Sequence, residues 1–233
     1  MPDHAGFVDL GLKPYKEVHA LQVRLAEALH AGTLSQEQFL CVEHPAVFTM
    51  GRNASRAHLG VTGSFLAERS IAVVPIERGG EVTYHGPGQL VLYPILRLKK
   101  HQLRVGDYVC LLEELMLRVA ADFGVQAARD PRNHGIWVGN NKLGSIGLAI
   151  RHGVSFHGLA LNVNLDLTPF GWINPCGLTD VQMTSMAVQK AENCTLAAVK
   201  QRLVHHIRSL FSLEIREHSE SQLFSLLKEP LLP

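Results

Sequence analysis

The sequence predicts an α+β domain built on mixed, largely antiparallel sheets flanked by helices. Three observations carry that expectation: long amphipathic segments with helical period, many short β-rich runs broken by turn residues, and no strict alternation of strand and helix. The chain has 233 residues, 46% apolar and 18% charged, enough to bury a core, and with no linker or internal repeat it reads as a single domain over residues 1–233.

The first periodic segment covers residues 14–31, where Val18, Leu21, Leu25 and Leu29 recur at helical spacing, with Pro14 expected in its first turn and Gly32 at its stop. Residues 39–42, 46–50 and 71–76 are short β-rich runs broken by His44-Pro45 and Gly51 and are expected as strands. Residues 81–85 and 89–98 continue the pattern around a Gly86-Pro87-Gly88 turn. Asp107 is expected to cap a second helix whose face carries Val109, Leu112, Leu115, Met116, Val119 and Phe123, with Gly124 as its stop. Residues 136–138 and 142–150 flank Gly139-Asn140-Asn141, which predicts a β-hairpin. A further strand over 154–165, a loop over 168–179 and a short strand over 183–188 follow. Thr195 then caps a last long helix with Leu196, Val199, Leu203, Ile207 and Leu210 on its buried stripe. Residues 212–233 read as a weak helix and a tail.

Composition excludes several classes. Twenty-two basic residues against 21 acidic ones leave a net charge of +1, so nothing favours a nucleic-acid binder. The longest nearly unbroken apolar run, residues 90–96, is far short of the ~20 needed to span a bilayer. The first residues lack the basic and apolar regions of a signal peptide, so a cytoplasmic protein is expected. Four cysteines without a C-x-x-C pair argue against a disulfide scaffold or a thiolate zinc site, and thirteen histidines without H-E-x-x-H lead to an expectation of no metal. The basic stretch formed by Arg97, Lys99, Lys100, His101 and Arg104 reads as a solvated edge, with docking of an acidic protein as the alternative.

Two glycine-rich segments, residues 78–89 and 143–147, are unusual for strand regions. They read either as bulged turns or as a ligand floor whose backbone N–H groups face an anion or a carbonyl oxygen. Neither is a P-loop or a complete G-x-G-x-x-G. Cys41, Cys110 and Cys194 read as packing residues, whereas Cys176 lies in Asn174-Pro175-Cys176-Gly177, a loop setting suited to presenting a thiol. With an ordinary pKa near 8.5, such a thiol needs a neighbouring cation to ionise at neutral pH. Lys142, His85, His152 and His157 are the candidates, and spacing does not choose among them.

These segments, with His157-Gly158-Leu159-Ala160-Leu161-Asn162 and Pro175-Cys176-Gly177, occur in an order that resembles the lipoyl(octanoyl) transferase family, the B-type lipoate-protein ligases. The upstream run from Glu43 to Arg52 resembles the family as well. Similarity spans roughly residues 8–215, Gly144 stands where alanine is common, and the tail after about Leu213 matches nothing in the pattern. The resemblance implies an α/β sandwich similar to the catalytic domain of biotin and lipoate protein ligases. It implies transfer of octanoyl from the phosphopantetheine thiol of acyl carrier protein to a lysine of lipoyl domains, in the E2 subunits of 2-oxoacid dehydrogenases and in the glycine cleavage H protein, with no resident cofactor. In its terms Cys176 is the nucleophile that carries the acyl group, and Lys142 lowers its pKa and handles the proton. Substrate binding falls to Arg78, Gly79, Gly80, Glu81, Val82, Thr83, Tyr84 and His85, to Ser145, Ile146 and Gly147, and to Gly158, Leu159 and Ala160. The alternatives are an ATP-dependent lipoate or biotin ligase on the same fold, and a non-catalytic module that binds acyl carriers.

Overall fold

A computed structural model describes residues 4–173, 181–189 and 194–227. Strands β1 (His4–Leu12), β2 (Glu37–Glu43), β6 (Gln89–Ile95), β7 (Gly135–Val138), β8 (Asn141–Arg151), β9 (Val154–Asn162), β10 (Gln182–Met183) and β11 (Glu214–Glu217) form one sheet in the order β10-β8-β9-β6-β2-β1-β11, with β7 paired to β8. Strands β3 (Val47–Met50), β4 (Ala72–Pro75) and β5 (Val82–His85) form a second sheet in the order β4-β3-β5. The centre of the large sheet is antiparallel through β2, β6, β9 and β8, while β1 pairs parallel to both β2 and β11. The α+β class and the mixed sheets expected from the sequence are those observed.

Helix α1 (Tyr15–Ala31) covers one face of the large sheet, and α3 (Val105–Asp122) and α4 (Leu196–Phe211) cover the other. Successive strand residues point to opposite faces. Accordingly Leu90, Leu92, Leu159 and Leu161 meet α3 and α4, while Val91, Tyr93, Phe156 and Ala160 lie with the α1 side. A sheet covered on both faces buries both rows of its side chains, so β6 and β9 are buried from end to end and mostly apolar. The smaller sheet, with α2 (Gly63–Glu68) and a 3₁₀ turn at Thr168–Trp172, encloses a third cluster around Phe48, Tyr84 and Phe170. No helix among the described residues is long and apolar enough to cross a membrane.

Several boundaries differ from expectation. Arg104, not Asp107, caps α3; Asp107 lies one turn in, and its carboxylate accepts from the Arg104 N–H at 3.3 Å and from its guanidinium at 2.8 Å. The strand expected over 183–188 is only Gln182–Met183, because the chain turns where the Gln189 N–H donates back to the Ser185 carbonyl at 3.1 Å. The weak helix expected after residue 212 is α5 (Glu220–Leu227), while the same stretch also holds β11, which closes the β1 edge, with Ser212 at φ 53° ending α4. Strands β1 and β11 carry no expectation from the sequence.

The basic stretch is not simply a solvated edge. It closes over Glu37, whose side chain is fully buried and accepts from the Arg97 N–H at 2.7 Å, with His101 Nε2 at 2.7 Å and Lys100 Nζ at 3.5 Å. Burial alone would raise this carboxyl; the His101 and Arg97 hydrogen bonds and the nearby charges outweigh it and hold the pKa below the ordinary 4.5. A carboxyl depressed on folding contributes stability that is complete above its unfolded pKa and fades as the pH falls through the folded one. Glu37→Gln is therefore expected to cost about 1–3 kcal/mol near neutrality, with the deficit shrinking as the pH drops below 4.5. Urea unfolding across that range measures it, and a deficit independent of pH contradicts it.

Candidate active site

A cleft opens between the smaller sheet and the β8–β9 ladder, with about 870 Å³ of empty space counted out to its mouth. One wall is the ladder itself, where Ser145 faces Ala160, Ile146 faces Leu159 and Gly147 faces Gly158. The other wall comes from residues 78–83 and His85. Every expected substrate-binding residue therefore lines one cavity except Tyr84. Alternation along β5 turns Thr83 and His85 into the cleft and Tyr84 away, against Phe48 and Phe170 at 5.2 and 5.6 Å between ring centres.

The glycines let these walls approach. A Cβ on Gly158 would collide with the Leu92 carbonyl, so only glycine lets β9 lie against β6 there. A Cβ on Gly147 would come within 2.8 Å of Arg78 Cδ, so its absence lets the Arg78 side chain cross the seam. The Arg78 guanidinium is buried and donates to the Thr49 carbonyl at 2.8 Å, to Thr49 Oγ1 at 3.0 Å and to the Gly79 carbonyl at 3.0 Å. The Gly79 N–H donates to the Leu148 carbonyl at 2.8 Å and ties the loop to β8.

The remaining wall is polar in composition but uncharged. His85 Nδ1 donates to Gln89 Oε1 at 2.7 Å, and Gln89 passes the chain on to Asn162, whose amide donates to the Thr184 carbonyl at 2.9 Å. His44, behind the wall, donates from Nδ1 to the Lys13 carbonyl at 2.7 Å and accepts from the Tyr93 hydroxyl at 2.8 Å. Burial pushes His85 down to about 3 and His44 down to about 4, and lowers His157 as well. His85 and His157 are thus neutral at neutral pH and supply no cation. His152 sits exposed in the turn between β8 and β9, stacked on His30, and is not part of the cleft.

Lys142 remains from the candidate cations. It lies near the start of β8, is 8% exposed and lines the cleft, with Nζ donating to Asn133 Oδ1 at 2.6 Å and 5.3 Å from the Trp137 ring centre. Glu113 on α3 holds the turn that carries Asn133, accepting from the Gly135 N–H at 3.0 Å and from Arg129 Nε at 3.1 Å. The Lys142 carbonyl accepts from the Thr184 N–H at 2.9 Å, which seats β10 beside it. Val181 and Met183, a few residues after Cys176 in sequence, also line the cleft. Cys176 itself lies outside the described residues.

Of the other cysteines, Cys41 is buried and its thiol pushed up to about 12, and burial raises Cys194, which packs 3.8 Å from Met186 Sδ. Cys110 departs from the packing expectation: it is exposed, one residue round the helix from the buried stripe of Val109 and Leu112. Sequence reasoning missed Tyr15, Tyr93, Asn133, Trp137, Phe170 and Met183 as cleft residues. Trp137 was within reach of inference, since it sits in the hairpin opposite Lys142, whereas Tyr15 has only its place at the start of an amphipathic helix.

The lipoyl protein ligase A/B catalytic domain model matches residues 14–208. An octanoyltransferase of Desulfotalea psychrophila is 53% identical over 206 residues, 88% of this chain and 92% of that protein. One from Syntrophobacter fumaroxidans is 39% identical over 225 residues, 97% of this chain and 98% of that one. Among solved structures, a lipoate-protein ligase A bound with ATP superposes with TM-score 0.74 at 15% identity, covering 97% of this chain and 93% of that one. A bipartite lipoate protein ligase from Thermoplasma acidophilum gives 0.73 at 15%, covering 97% and 91%. At that identity the structures speak for the fold, and the sequence matches carry the kinship: the chain belongs to the lipoyl protein ligase A/B catalytic domain family.

Proposed function

We propose that the protein is an octanoyltransferase in protein lipoylation, moving octanoyl from acyl carrier protein to a lysine amine of lipoyl domains by way of an acyl-thioester on Cys176. The observation that carries the mechanism is the Lys142 ammonium buried on the wall of a cleft whose histidines are neutral. The relatives named octanoyltransferase support the acyl group and the reaction.

In the first half-reaction the Cys176 thiolate attacks the thioester carbonyl, a new S–C bond forms, the phosphopantetheine S–C bond breaks, and the carrier thiolate leaves to be protonated. An ammonium beside a thiol favours the ionised sulfur, each pKa unit being worth about 1.4 kcal/mol. Acylation removes the counter-charge, so the ammonium gives up its proton more readily, and Lys142 can then take the proton of the incoming lysine amine. The amide forms as the Cys176 thioester breaks. Thioester to amide runs downhill, so neither ATP nor a resident cofactor is required.

The residues at 78–83, His85, 145–147 and 158–160 are assigned to the acyl group. Val82, Ile146, Leu159 and Ala160 give an aliphatic chain apolar contact, and the neutral histidines avoid placing charge against it. Burying seven aliphatic carbons at ~0.8 kcal/mol each supplies roughly 5 kcal/mol. Two carbons more or fewer change that by about 1.6 kcal/mol, a moderate preference in chain length.

Incubation with octanoyl carrier protein is expected to add one octanoyl group to the intact mass, and Cys176→Ala to abolish the adduct and lower turnover more than ~10³-fold. A Cys176→Ala protein that turns over normally refutes the assignment. Lys142→Met is expected to move the alkylation profile of the Cys176 thiol up by about 1–3 pH units and to slow transfer to lipoyl domain by ~10²–10⁴. An unchanged profile removes Lys142 from the role. Transfer without nucleotide distinguishes this reading from an ATP-dependent ligase.

A further inference from the structure

Behind the cleft, three residues far apart in sequence converge from separate elements: His19 from α1, Glu77 from the segment after β4, and His157 from β9. His19 Nε2 lies 3.1 and 3.0 Å from the two Glu77 carboxylate oxygens. His157 Nε2 lies 3.8 Å from Glu77 Oε2, outside hydrogen-bond reach. The ligand atoms of all three residues fall within 4.8 Å of one another.

His157 is the informative member. Its ring is 1% exposed, yet Nε2 has no hydrogen-bond partner. A buried nitrogen left that way carries an uncompensated loss of hydration. Its backbone is held at φ 58°, in the left-handed region that a residue with a Cβ enters only at a cost. The position is over-determined: the His157 N–H donates to Gln22 Oε1 at 2.7 Å, and the ring stacks on His19 with centres 5.3 Å apart. Nδ1 is 3.4 Å from the Tyr15 hydroxyl, an oxygen able to accept from it. With the proton on Nδ1, Nε2 keeps its lone pair 3.8 Å from Glu77 Oε2, which is the arrangement of a metal-binding imidazole steadied through its other nitrogen.

We propose that His19, Glu77 and His157 form a zinc-class divalent cation site, with a water in the fourth position. Two imidazoles and one carboxylate are a borderline donor set that suits zinc and not magnesium or calcium. Bonds of about 2.0–2.2 Å in a tetrahedron place donor atoms roughly 3.3–3.5 Å apart. Closing the cluster on an ion therefore needs only small shifts of His19 and Glu77, whose side chains are 25% and 31% exposed and border solvent. The competing cation is Arg151, whose Nη2 is 3.8 Å from Glu77 Oε1. A bound ion would tie α1 to β9 at the wall that His157 shares with the cleft. The expectation of no metal arose because three ligands scattered at positions 19, 77 and 157 form no motif.

The test is titration of chelator-treated full-length protein with Zn²⁺ against a chromogenic chelator, with Co²⁺ as a spectroscopic probe and thermal melting alongside. One equivalent is expected to bind, with the visible bands of tetrahedral Co²⁺ and a zinc-dependent rise in Tm. His19→Ala and Glu77→Gln, both at partly exposed positions, are each expected to weaken binding at least ~tenfold and remove the rise in Tm. His206→Ala, in a separate surface cluster with Asp122, is expected to leave both unchanged. Failure to bind an equivalent below millimolar Zn²⁺, or equal affinity and equal thermal response in His19→Ala and Glu77→Gln, overturns the proposal.

Discussion

The seam where the smaller sheet meets β8 is the contact on which the cleft depends. Arg78 crosses it over the bare backbone of Gly147 and ends on Thr49 in β3, while the Gly79 N–H reaches the Leu148 carbonyl. A guanidinium presents its donors in a fixed fork: Nη2 meets both the Thr49 carbonyl and its hydroxyl, and Nη1 meets the Gly79 carbonyl. The seam joins two sheets that have no strand pairing with each other among the described residues, and the cleft opens beside it.

The electrostatics around that space are set by burial more than by neighbouring charge. His85 and His44 are stripped of water, and the proton that would charge them is given up well below neutrality. Their hydrogen bonds persist in the neutral form, so the wall is satisfied without being charged. Of the positive groups lining the cleft, Arg78 donates to backbone and hydroxyl acceptors, and Lys142 stands at the β8 and β10 junction against Asn133.

Much of this was legible in the residues. Caps and stops placed α1 and α4 well, because Gly32 and Thr195 act locally, and the cap on α3 moved because an Asp three residues into a helix also satisfies an N-terminal N–H. The glycine-rich stretches marked the cleft, since glycine inside a strand usually records a close approach. What stayed hidden depends on distant partners. Strand β11 exists because β1 lies beside it, Asn133 matters because Glu113 pins its turn, and Glu37 gathers the basic stretch from another strand. None of these has a local period or spacing to read.

The family match ends at residue 208, inside α4, yet the large sheet ends only with β11 at Glu214–Glu217. A protein trimmed to the matched residues 14–208 would lose both β1 and β11 and leave one side of β2 with its backbone donors and acceptors unpaired, an invitation for another chain to add a strand. The residues on either side of the recognisable catalytic region thus serve as a guard on the sheet margin, and expression boundaries drawn from similarity alone would strip it away.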